Sequence, residues 1–127
     1  MLKEKFKEFD IILASKSPRR QLLLKGLDIN FEVRLKEIEE IFPQNLKKEE
    51  IAVFLCELKA SAFENELNDN TIVITADTIV WINDGILNKP KDADDAKQIL
   101  SQLSGNMHEV ITGVCLKSKN KTRSFYS

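Results

Sequence analysis

The sequence predicts an α/β domain, and three observations lead to that prediction. A short apolar run at residues 10–14 leads directly into a capped helix, which is the pattern of a buried strand followed by a helix. β-Branched residues dominate residues 71–76, and a similar run resumes at residues 79–82, as expected for sheet strands. Between the first of these runs and residue 71, residues 47–67 carry apolar side chains at helical spacing. Strands that alternate with helices in this way are typical of a sheet flanked by helices.

Composition limits the partners that the chain can attract through charge. Its 127 residues suit one domain with a real core. Nineteen basic and twenty acidic residues leave a formal net charge of -1, so no overall field attracts nucleic acid or an anionic membrane, and any anion site has to be local. Residues 1–6 lack the apolar stretch of a signal peptide, and no apolar run reaches membrane-spanning length. Cys56 and Cys115 lie in apolar segments and are interpreted as reduced core residues, so we expect a soluble cytoplasmic protein.

A capped helix is predicted directly after the first strand. Residues 10–14 are too few for a helix and continuously apolar after the first, which favours a fully buried strand. Ser17 is a preferred N-cap and Pro18 a preferred first helical residue. The helix should therefore run from Pro18 to about Lys25, and Gly26 should end it.

The middle of the chain predicts one half-exposed strand and the longest helix. Residues 31–35 alternate apolar and polar side chains, which indicates a strand with one wet face, and an acidic stretch follows at residues 37–40. The helix at residues 47–67 has an apolar face with Lys59 at its margin, from where the lysine could reach a pocket.

The second half predicts a hairpin and another helix. The strand at residues 79–82 is followed by the turn signal Asn83-Asp84-Gly85. Asp92 is expected to cap the next helix and Gly105 to close it. The apolar side chains expected to face inward from this helix are Ala96, Ile99, Leu100 and Leu103.

The last predicted strand, at residues 108–117, is apolar on both faces, so it should lie in the middle of a sheet. A polar turn at residues 118–121 follows it, and residues 123–126 look like the start of a return strand. We therefore expect an α/β domain that stops before its architecture is finished.

The segment Ser17-Pro18-Arg19-Arg20 is the strongest functional signal from the residues themselves. Both arginines should fall in the first helical turn, beside exposed N–H groups and the positive end of the helix dipole, where cations are disfavoured. Two successive cations make sense there if an anion such as a phosphate normally occupies the turn. The alternative is a capped surface helix whose arginines extend into water.

Asp77 and Thr78 are the second signal. Asp77 ends the run at residues 72–76, so we expect the strand to deliver a carboxylate and a hydroxyl at its tip, where ligands bind in α/β folds. A carboxylate near the arginine turn could hold Mg²⁺ or orient an attacking water. The alternative is a turn aspartate that bonds its own backbone.

Four further polar residues have weaker signals. Glu39 and Glu40 could be Mg²⁺ ligands, although a charge run is usually a solvated face. Lys89 could touch a phosphate, although an exposed loop lysine is the ordinary interpretation. His108 is the only histidine and has no partner for a metal site, so we interpret it as a structural hydrogen-bonding group.

Four groups of residues occur in a characteristic order and spacing: Leu13-Ala14-Ser15-Lys16-Ser17-Pro18-Arg19-Arg20, then Ala76-Asp77-Thr78, then Leu87-Asn88-Lys89-Pro90, then Leu103-Ser104-Gly105 with His108, Val110, Thr112 and Gly113. Across essentially the whole chain they resemble the Maf family of nucleoside triphosphate pyrophosphatases. The resemblance implies a mixed central sheet flanked by helices, as in the inosine triphosphatase-like enzymes, in a single domain over residues 1–127.

The resemblance also implies a reaction and a set of site residues. The reaction is hydrolysis between the α- and β-phosphates of dTTP or UTP, with Mg²⁺ or Mn²⁺, in a possible homodimer. Asp77 matches the family's proposed catalytic base, and Asp77 and Glu40 match positions for the metal. The positions that match phosphate or substrate contacts are Ser15, Arg20, Lys59 and Lys89, with Arg19 and Thr78 at specificity positions.

The chain departs from the family pattern at its end. Members of the family extend further and carry a segment of the pattern Asp-Lys-Ala-Gly-Ala-Tyr-Gly-Ile-Gln-Gly, which supplies an active-site lysine and a base-reading glutamine. Two alternatives to the enzyme follow. The chain could bind nucleotide without cleaving it, or act in septum and division control through a protein partner. It could also be a remnant whose strand at residues 108–117 is an exposed, aggregation-prone edge.

Overall fold

The computed structural model describes residues 9–82, 85–86, 93–103 and 108–127. These residues form six strands, three α-helices and one 3-10 turn. In chain order they are β1 (Asp10–Leu13), α1 (Pro18–Gly26), β2 (Glu32–Val33), α2 (Glu49–Ser61), the 3-10 turn (Glu64–Glu66), β3 (Thr71–Ile82), β4 (Gly85–Ile86), α3 (Ala93–Leu103), β5 (His108–Lys117) and β6 (Thr122–Tyr126).

The strands form one mixed sheet, which confirms the predicted fold class. Its order is β2-β1-β3-β5-β6, and β4 pairs with the end of β3. β1 is parallel to β2 and β3, whereas β5 is antiparallel to β3 and β6. The pairing of Ile82 with Gly85 confirms the hairpin between β3 and β4. The two hairpin residues between them, like the expected caps Asp92 and Gly105, lie outside the described residues.

β3 is one continuous strand, so the prediction that Asp77 ends a strand is wrong. β5 pairs with β3 from Val73 to Ile82, and this antiparallel ladder carries the chain straight through Asp77. β1, by contrast, pairs with β3 only as far as Ile74. Asp77 therefore lies inside a strand but beyond the carboxyl end of β1, the neighbouring parallel strand, which is shorter than β3.

Helix α2 packs on one face of the sheet and contributes five buried residues to the core. Its buried residues are Ile51, Ala52, Leu55, Cys56 and Ala60. The backbone of α2 lies very close to β5: a Cβ atom built on Gly113 would be 2.6 Å from the Ala52 carbonyl oxygen. Only a residue without a side chain can accept that approach.

Both cysteines are buried and free, as the sequence predicted. They share a small core cluster with Ala60. Burial raises the pKa of the Cys56 thiol to about 12 and raises that of Cys115 as well, so both thiols stay protonated near neutral pH. Beside them the Thr75 hydroxyl donates a hydrogen bond to the Cys56 carbonyl oxygen at 2.5 Å.

Two predicted elements are shorter in the structure. The strand expected at residues 31–35 is reduced to β2, because β1 ends at Leu13 and the last backbone bond between them runs from the Arg34 amide to the Leu13 carbonyl. The helix expected at residues 47–67 begins at Glu49, after a positive φ of 52° at Lys48. It ends at Ser61, and a tight turn then buries Phe63 against the sheet.

Some large apolar side chains of the helices are exposed. Leu100 of α3 is 65% exposed, so its predicted inward orientation is wrong, since helical spacing alone does not supply a surface to pack against. In α1, which extends one residue further than predicted, Leu22 and Leu23 are also exposed. β5 lies between β3 and β6, so it is an interior strand as predicted, and the alternative in which it forms an exposed edge is wrong.

No helix among the described ranges has the length and apolar character needed to cross a bilayer.

The close approach at Gly113 gives a stability prediction. Replacing Gly113 with alanine should lower the free energy of unfolding by about 2 kcal/mol, because either α2 or β5 has to shift. The measurement is urea denaturation followed by circular dichroism. Gly26→Ala is the matched control: no described atom lies within 4 Å of a Cβ at that helical position, so stability should stay the same or rise slightly. Equal stability of the two variants would contradict the packing argument.

Candidate active site

A polar cleft of about 810 Å³ opens at the carboxyl end of β1. Four segments form its walls: the loop after β1 with the start of α1, the acidic loop after β2, the end of α2 with Phe63, and the middle of β3. The lining residues are Ala14 to Ser17, Arg20, Leu35 to Ile38, Glu40, Lys59, Phe63 and Ala76 to Thr78. Its size is in the range of small-molecule binding sites.

The first wall confirms the predicted helix cap. The Ser17 hydroxyl accepts a hydrogen bond from the Arg20 amide at 3.4 Å, and Pro18 occupies the first turn. The Arg20 side chain then crosses the cleft wall. Its Nη1 donates to the Ser15 hydroxyl at 3.3 Å, and its Nη2 donates to the Thr78 hydroxyl at 2.9 Å. Arg20 is therefore held between the loop and the sheet.

The structure separates the two arginines. Arg20 lines the cleft, whereas Arg19 is exposed and is not among the lining residues of the described part of the chain. Successive helical residues point about 100° apart, so the two side chains leave the first turn in different directions. The alternative of arginines extending into water thus applies to Arg19 only.

The Ser15 hydroxyl keeps its hydrogen for a bond to a ligand. Ser15 is buried, and its hydroxyl oxygen accepts from the Ser17 amide at 3.1 Å as well as from Arg20. A serine hydroxyl has two acceptor lone pairs and one donor hydrogen. Since both acceptor positions are taken, the capacity that remains is the O–H donor, which suits an anionic oxygen.

The opposite wall brings two carboxylates to one ammonium group. Lys59 Nζ lies 3.0 Å from Glu40 Oε1 and 3.5 Å from Asp77 Oδ1. The Asp77 side chain is 13% exposed and that of Lys59 is 26% exposed, so this contact is largely shielded from water. Asp77 points toward α2 and Thr78 toward α1, because successive residues of a strand face opposite sides of the sheet.

The start of the acidic loop is anchored to the segment that follows α2. Arg34 forms a salt bridge with Glu66 at 3.2 Å, and Lys36 pairs with the same carboxylate. Lys36 also donates to the Ala62 carbonyl at 3.0 Å. The hydrogen bond from Lys36 and the nearby positive charges lower the pKa of Glu66. These contacts hold the loop where Glu40, and not Glu39, lines the cleft.

Two of the polar residues that the sequence singled out are not among the described lining residues, and some lining residues were not predicted. Lys89 lies outside the described residues, and His108 is exposed at the start of β5. Lys36 lines the cleft without having been singled out, and its position next to the acidic stretch was the available signal. Thr112 forms a hydrogen bond with the Thr78 hydroxyl, but it lies on a different strand and only the β3–β5 register reveals the contact.

The carboxylate pair fits a divalent cation held jointly with a phosphorylated ligand. No group of three or more His, Cys, Asp or Glu side chains that could hold a metal occurs in the described part of the chain. Mg²⁺ is usually held by one or two carboxylates together with phosphate oxygens and water. Glu40 and Asp77 supply such a pair, and Ser15 and Arg20 supply donors for phosphate on the opposite wall.

Solved structures share this fold. The Ham1 protein of Staphylococcus aureus superposes with a TM-score of 0.58 at 16% identity, over 92% of this chain and 68% of that protein. A nucleoside-triphosphatase described as a dITP/XTP pyrophosphatase, from Mycobacterium abscessus, gives a TM-score of 0.56 at 16% identity, over 94% of this chain and 71% of that one. At such identities the likeness defines the fold class alone.

The chain belongs to the Maf-like protein family, whose model matches residues 10–127. Relatives named dTTP/UTP pyrophosphatase include one from Flavobacterium psychrophilum, 57% identical over 96% of this chain and 63% of the relative. Another, from Flavobacterium johnsoniae, is 58% identical over 93% of this chain and 61% of the relative. The chain thus spans somewhat less than two thirds of the length of these relatives.

The anchor of the acidic loop gives a pH-dependent prediction. Glu66→Gln should lower the melting temperature at pH 7, because both of its ion pairs are lost. Since the pKa of Glu66 is lowered in the folded state, its stabilising effect is present at neutral pH and disappears as the pH falls through that lowered pKa. The difference between wild type and variant should therefore shrink as the pH falls below the ordinary glutamate pKa of about 4.3 and vanish below the lowered pKa.

Glu64→Gln in the same 3-10 turn is the control for this measurement, which follows thermal unfolding by circular dichroism between pH 3 and pH 8. Its melting temperature should follow that of the wild type throughout. A Glu66→Gln difference that is as large at pH 3 as at pH 7 would show that the effect is not due to the charge of Glu66.

Proposed function

We propose that this chain is the nucleotide- and metal-binding part of a nucleoside triphosphate pyrophosphatase that converts dTTP or UTP to the monophosphate and pyrophosphate. The observation that carries the proposal is the cleft in which Arg20 and Ser15 face the Glu40–Lys59–Asp77 cluster. One wall offers donors to phosphate and the other offers carboxylates. The names of the relatives point to the same reaction and to thymine and uracil nucleotides.

The donor wall would bind the triphosphate. Arg20 supplies a fixed positive charge beside the start of α1, and Ser15 supplies its remaining O–H donor. The positive end of the α1 dipole favours an anion at the same place, although Pro18 has no N–H and the Arg20 N–H is already bound to the Ser17 hydroxyl. Lys59 supplies a second cation from the opposite wall. Because Ser15 and Thr78 already hold the Arg20 guanidinium, less rotamer entropy is lost when a phosphate binds.

The carboxylate wall would carry the chemistry. Asp77 is suited to orient a water molecule and accept its proton as the oxygen attacks the α-phosphorus, while the bond to the bridging oxygen breaks and pyrophosphate leaves. Glu40 and Asp77 are the residues that would hold Mg²⁺ or Mn²⁺. Such a cation, when bound, supplies Lewis-acid stabilisation of the charge that develops on the phosphate oxygens.

Other parts of the proposal rest on the family resemblance. Arg19, exposed at the start of α1, and Thr78, next to Asp77, are proposed to contribute to base preference, and Lys89 to phosphate binding. A homodimer and a cytoplasmic location belong to the same proposal. Analytical ultracentrifugation at several concentrations tests the dimer.

The role of Asp77 gives a direct test. Asp77→Asn should reduce pyrophosphate release from dTTP and UTP by at least about a hundredfold, because the amide cannot accept the proton of the attacking water. The assay follows pyrophosphate with Mg²⁺ or Mn²⁺ present, after circular dichroism has shown that each protein is folded. Asp69→Asn, an exposed aspartate paired with Lys119, is the matched control and should retain activity.

The outcomes of this assay separate the proposal from its main alternative. Binding of dTTP or UTP without turnover, unaffected by supplying the further segment that family members carry, would replace the enzyme with a nucleotide-binding protein. Turnover that survives in Asp77→Asn would contradict the role given to this carboxylate.

Removal of divalent metal is the second test of the proposed function. EDTA should abolish pyrophosphate release, and added Mg²⁺ or Mn²⁺ should restore it. Glu40→Gln should raise the metal concentration needed for half-maximal activity by about tenfold, since one of two charged ligands becomes neutral. Glu39→Gln is the neighbouring control and should need no more metal than the wild type. Full activity in EDTA would contradict the metal dependence.

A further inference from the structure

Thr112 is a polar residue behind the donor wall to which the proposed function gives no role. It lies on β5 in direct register with Thr78 of β3. The two hydroxyl oxygens are 2.9 Å apart, which is a hydrogen bond in which either can donate. Thr78 in turn accepts from Arg20 Nη2 at 2.9 Å. The three side chains form a continuous hydrogen-bond network from β5 through β3 to α1.

Arg20 sets the direction of its hydrogen bond with Thr78. Arginine carries only donors, so the bond between Arg20 and Thr78 occupies an acceptor position of the Thr78 oxygen. The Thr78 hydroxyl hydrogen is then available to Thr112, or Thr112 donates to the second lone pair of Thr78. In either arrangement Thr112 fixes the rotamer in which the Thr78 oxygen points toward Arg20.

Of the three residues in this hydrogen-bond network, Thr112 has the most firmly held backbone. Thr112 exchanges two backbone hydrogen bonds with Ser127, both at 3.0 Å, and pairs with β3 on its other side. Its neighbour Gly113 lies against the α2 backbone, which leaves β5 little freedom to shift. Threonine, moreover, has few χ1 rotamers because it is branched at Cβ. By contrast, Arg20 projects from a helix that has no buried residue.

We propose that Thr112 is a positioning residue that holds the Arg20 guanidinium in its nucleotide-binding orientation through the Thr78 hydroxyl. The inference rests on the proposed function for its consequence, which is tighter binding of the triphosphate. Without the Thr112 hydroxyl, Thr78 loses the contact that selects its rotamer. Arg20 then keeps Ser15 as a firm partner but not Thr78, and binding has to order the side chain.

The first experiment measures nucleotide binding and turnover in the 127-residue chain. Thr112→Val keeps the shape and the strand preference but removes the hydroxyl. It should weaken dTTP binding, measured by calorimetry, and raise KM by about three- to tenfold, with kcat changed much less. Thr112→Ser keeps the hydroxyl and should restore most of the affinity. Thr122→Val, an exposed strand threonine of β6, is the matched control and should bind like the wild type.

A double-mutant cycle tests the route through Thr78. In a Thr78→Val background, Thr112→Val should have no further effect on the dissociation constant, because the intermediate hydroxyl is already absent. Additive losses would overturn the proposal. So would a Thr112→Ser variant as weak as Thr112→Val, or a Thr112→Val variant that binds like the wild type. If Thr112→Val does not fold, the comparison of Thr112→Ala with Thr112→Ser gives the same test.

A second measurement separates this inference from the proposed function. Side-chain nitrogen NMR of the nucleotide-free chain reports the Arg20 guanidinium, assigned by its loss in Arg20→Lys. Slow rotation of that group should be seen in the wild type and in Thr112→Ser, and faster rotation in Thr112→Val. This result together with no dTTP binding by the wild type would keep the positioning role and overturn the pyrophosphatase. Unchanged rotation in Thr112→Val would overturn the positioning role, whatever the enzyme does.

Discussion

The contact between Gly113 and the backbone of Ala52 brings α2 close to β5, beside the candidate active site. Because Gly113 has no side chain, α2 approaches β5 until the Ala52 carbonyl occupies the space that a Cβ would need. Lys59 follows Ala52 by two helical turns and so faces the same side of the helix. Asp77 is the register partner of Gly113 on β3. One backbone approach therefore sets the distance between the Lys59 ammonium and the Asp77 carboxylate.

The difference in length between β1 and β3 creates the space that this contact borders. β1 pairs with β3 only to Ile74, whereas β5 supports β3 along its whole further course. Between Ile74 and Trp81, where β4 begins to pair, no described strand pairs with the β1 side of β3, and the loop after β1 and the first turn of α1 border it. A strand presents its side chains to both faces in alternation, so two successive residues, Asp77 and Thr78, contribute to different walls of one cleft. Because β1 ends before this point, both side chains can reach the cleft.

Sequence reasoning succeeded where the signal is local and failed where it depends on a partner. Ser17 as a cap follows from its own chemistry and its next three residues, and the structure confirms it. The buried cysteines follow from their apolar segments. The position of Asp77 inside a strand does not follow from its neighbours in the sequence. Two polar residues such as Asp77 and Thr78 look like a strand end unless the pairing with β5 is known. The same limit applies to Leu100, whose burial requires a facing surface, and to Thr112, whose contact is cross-strand.

Charge balance explains why a metal and a nucleotide belong together in this cleft. Arg20 and Lys59 carry two positive charges, and Glu40 and Asp77 carry two negative charges, so these four groups cancel. A triphosphate that enters brings several negative charges, which the four side chains alone cannot neutralise, and a site shielded from water penalises the excess. Lys16 at the lining reduces it, whereas Lys36 is already paired with Glu66, and Glu37 at the lining adds a further negative charge. A divalent cation shared by the carboxylates and the phosphates reduces it at the point where the bond breaks, which is where compensation contributes most to the rate.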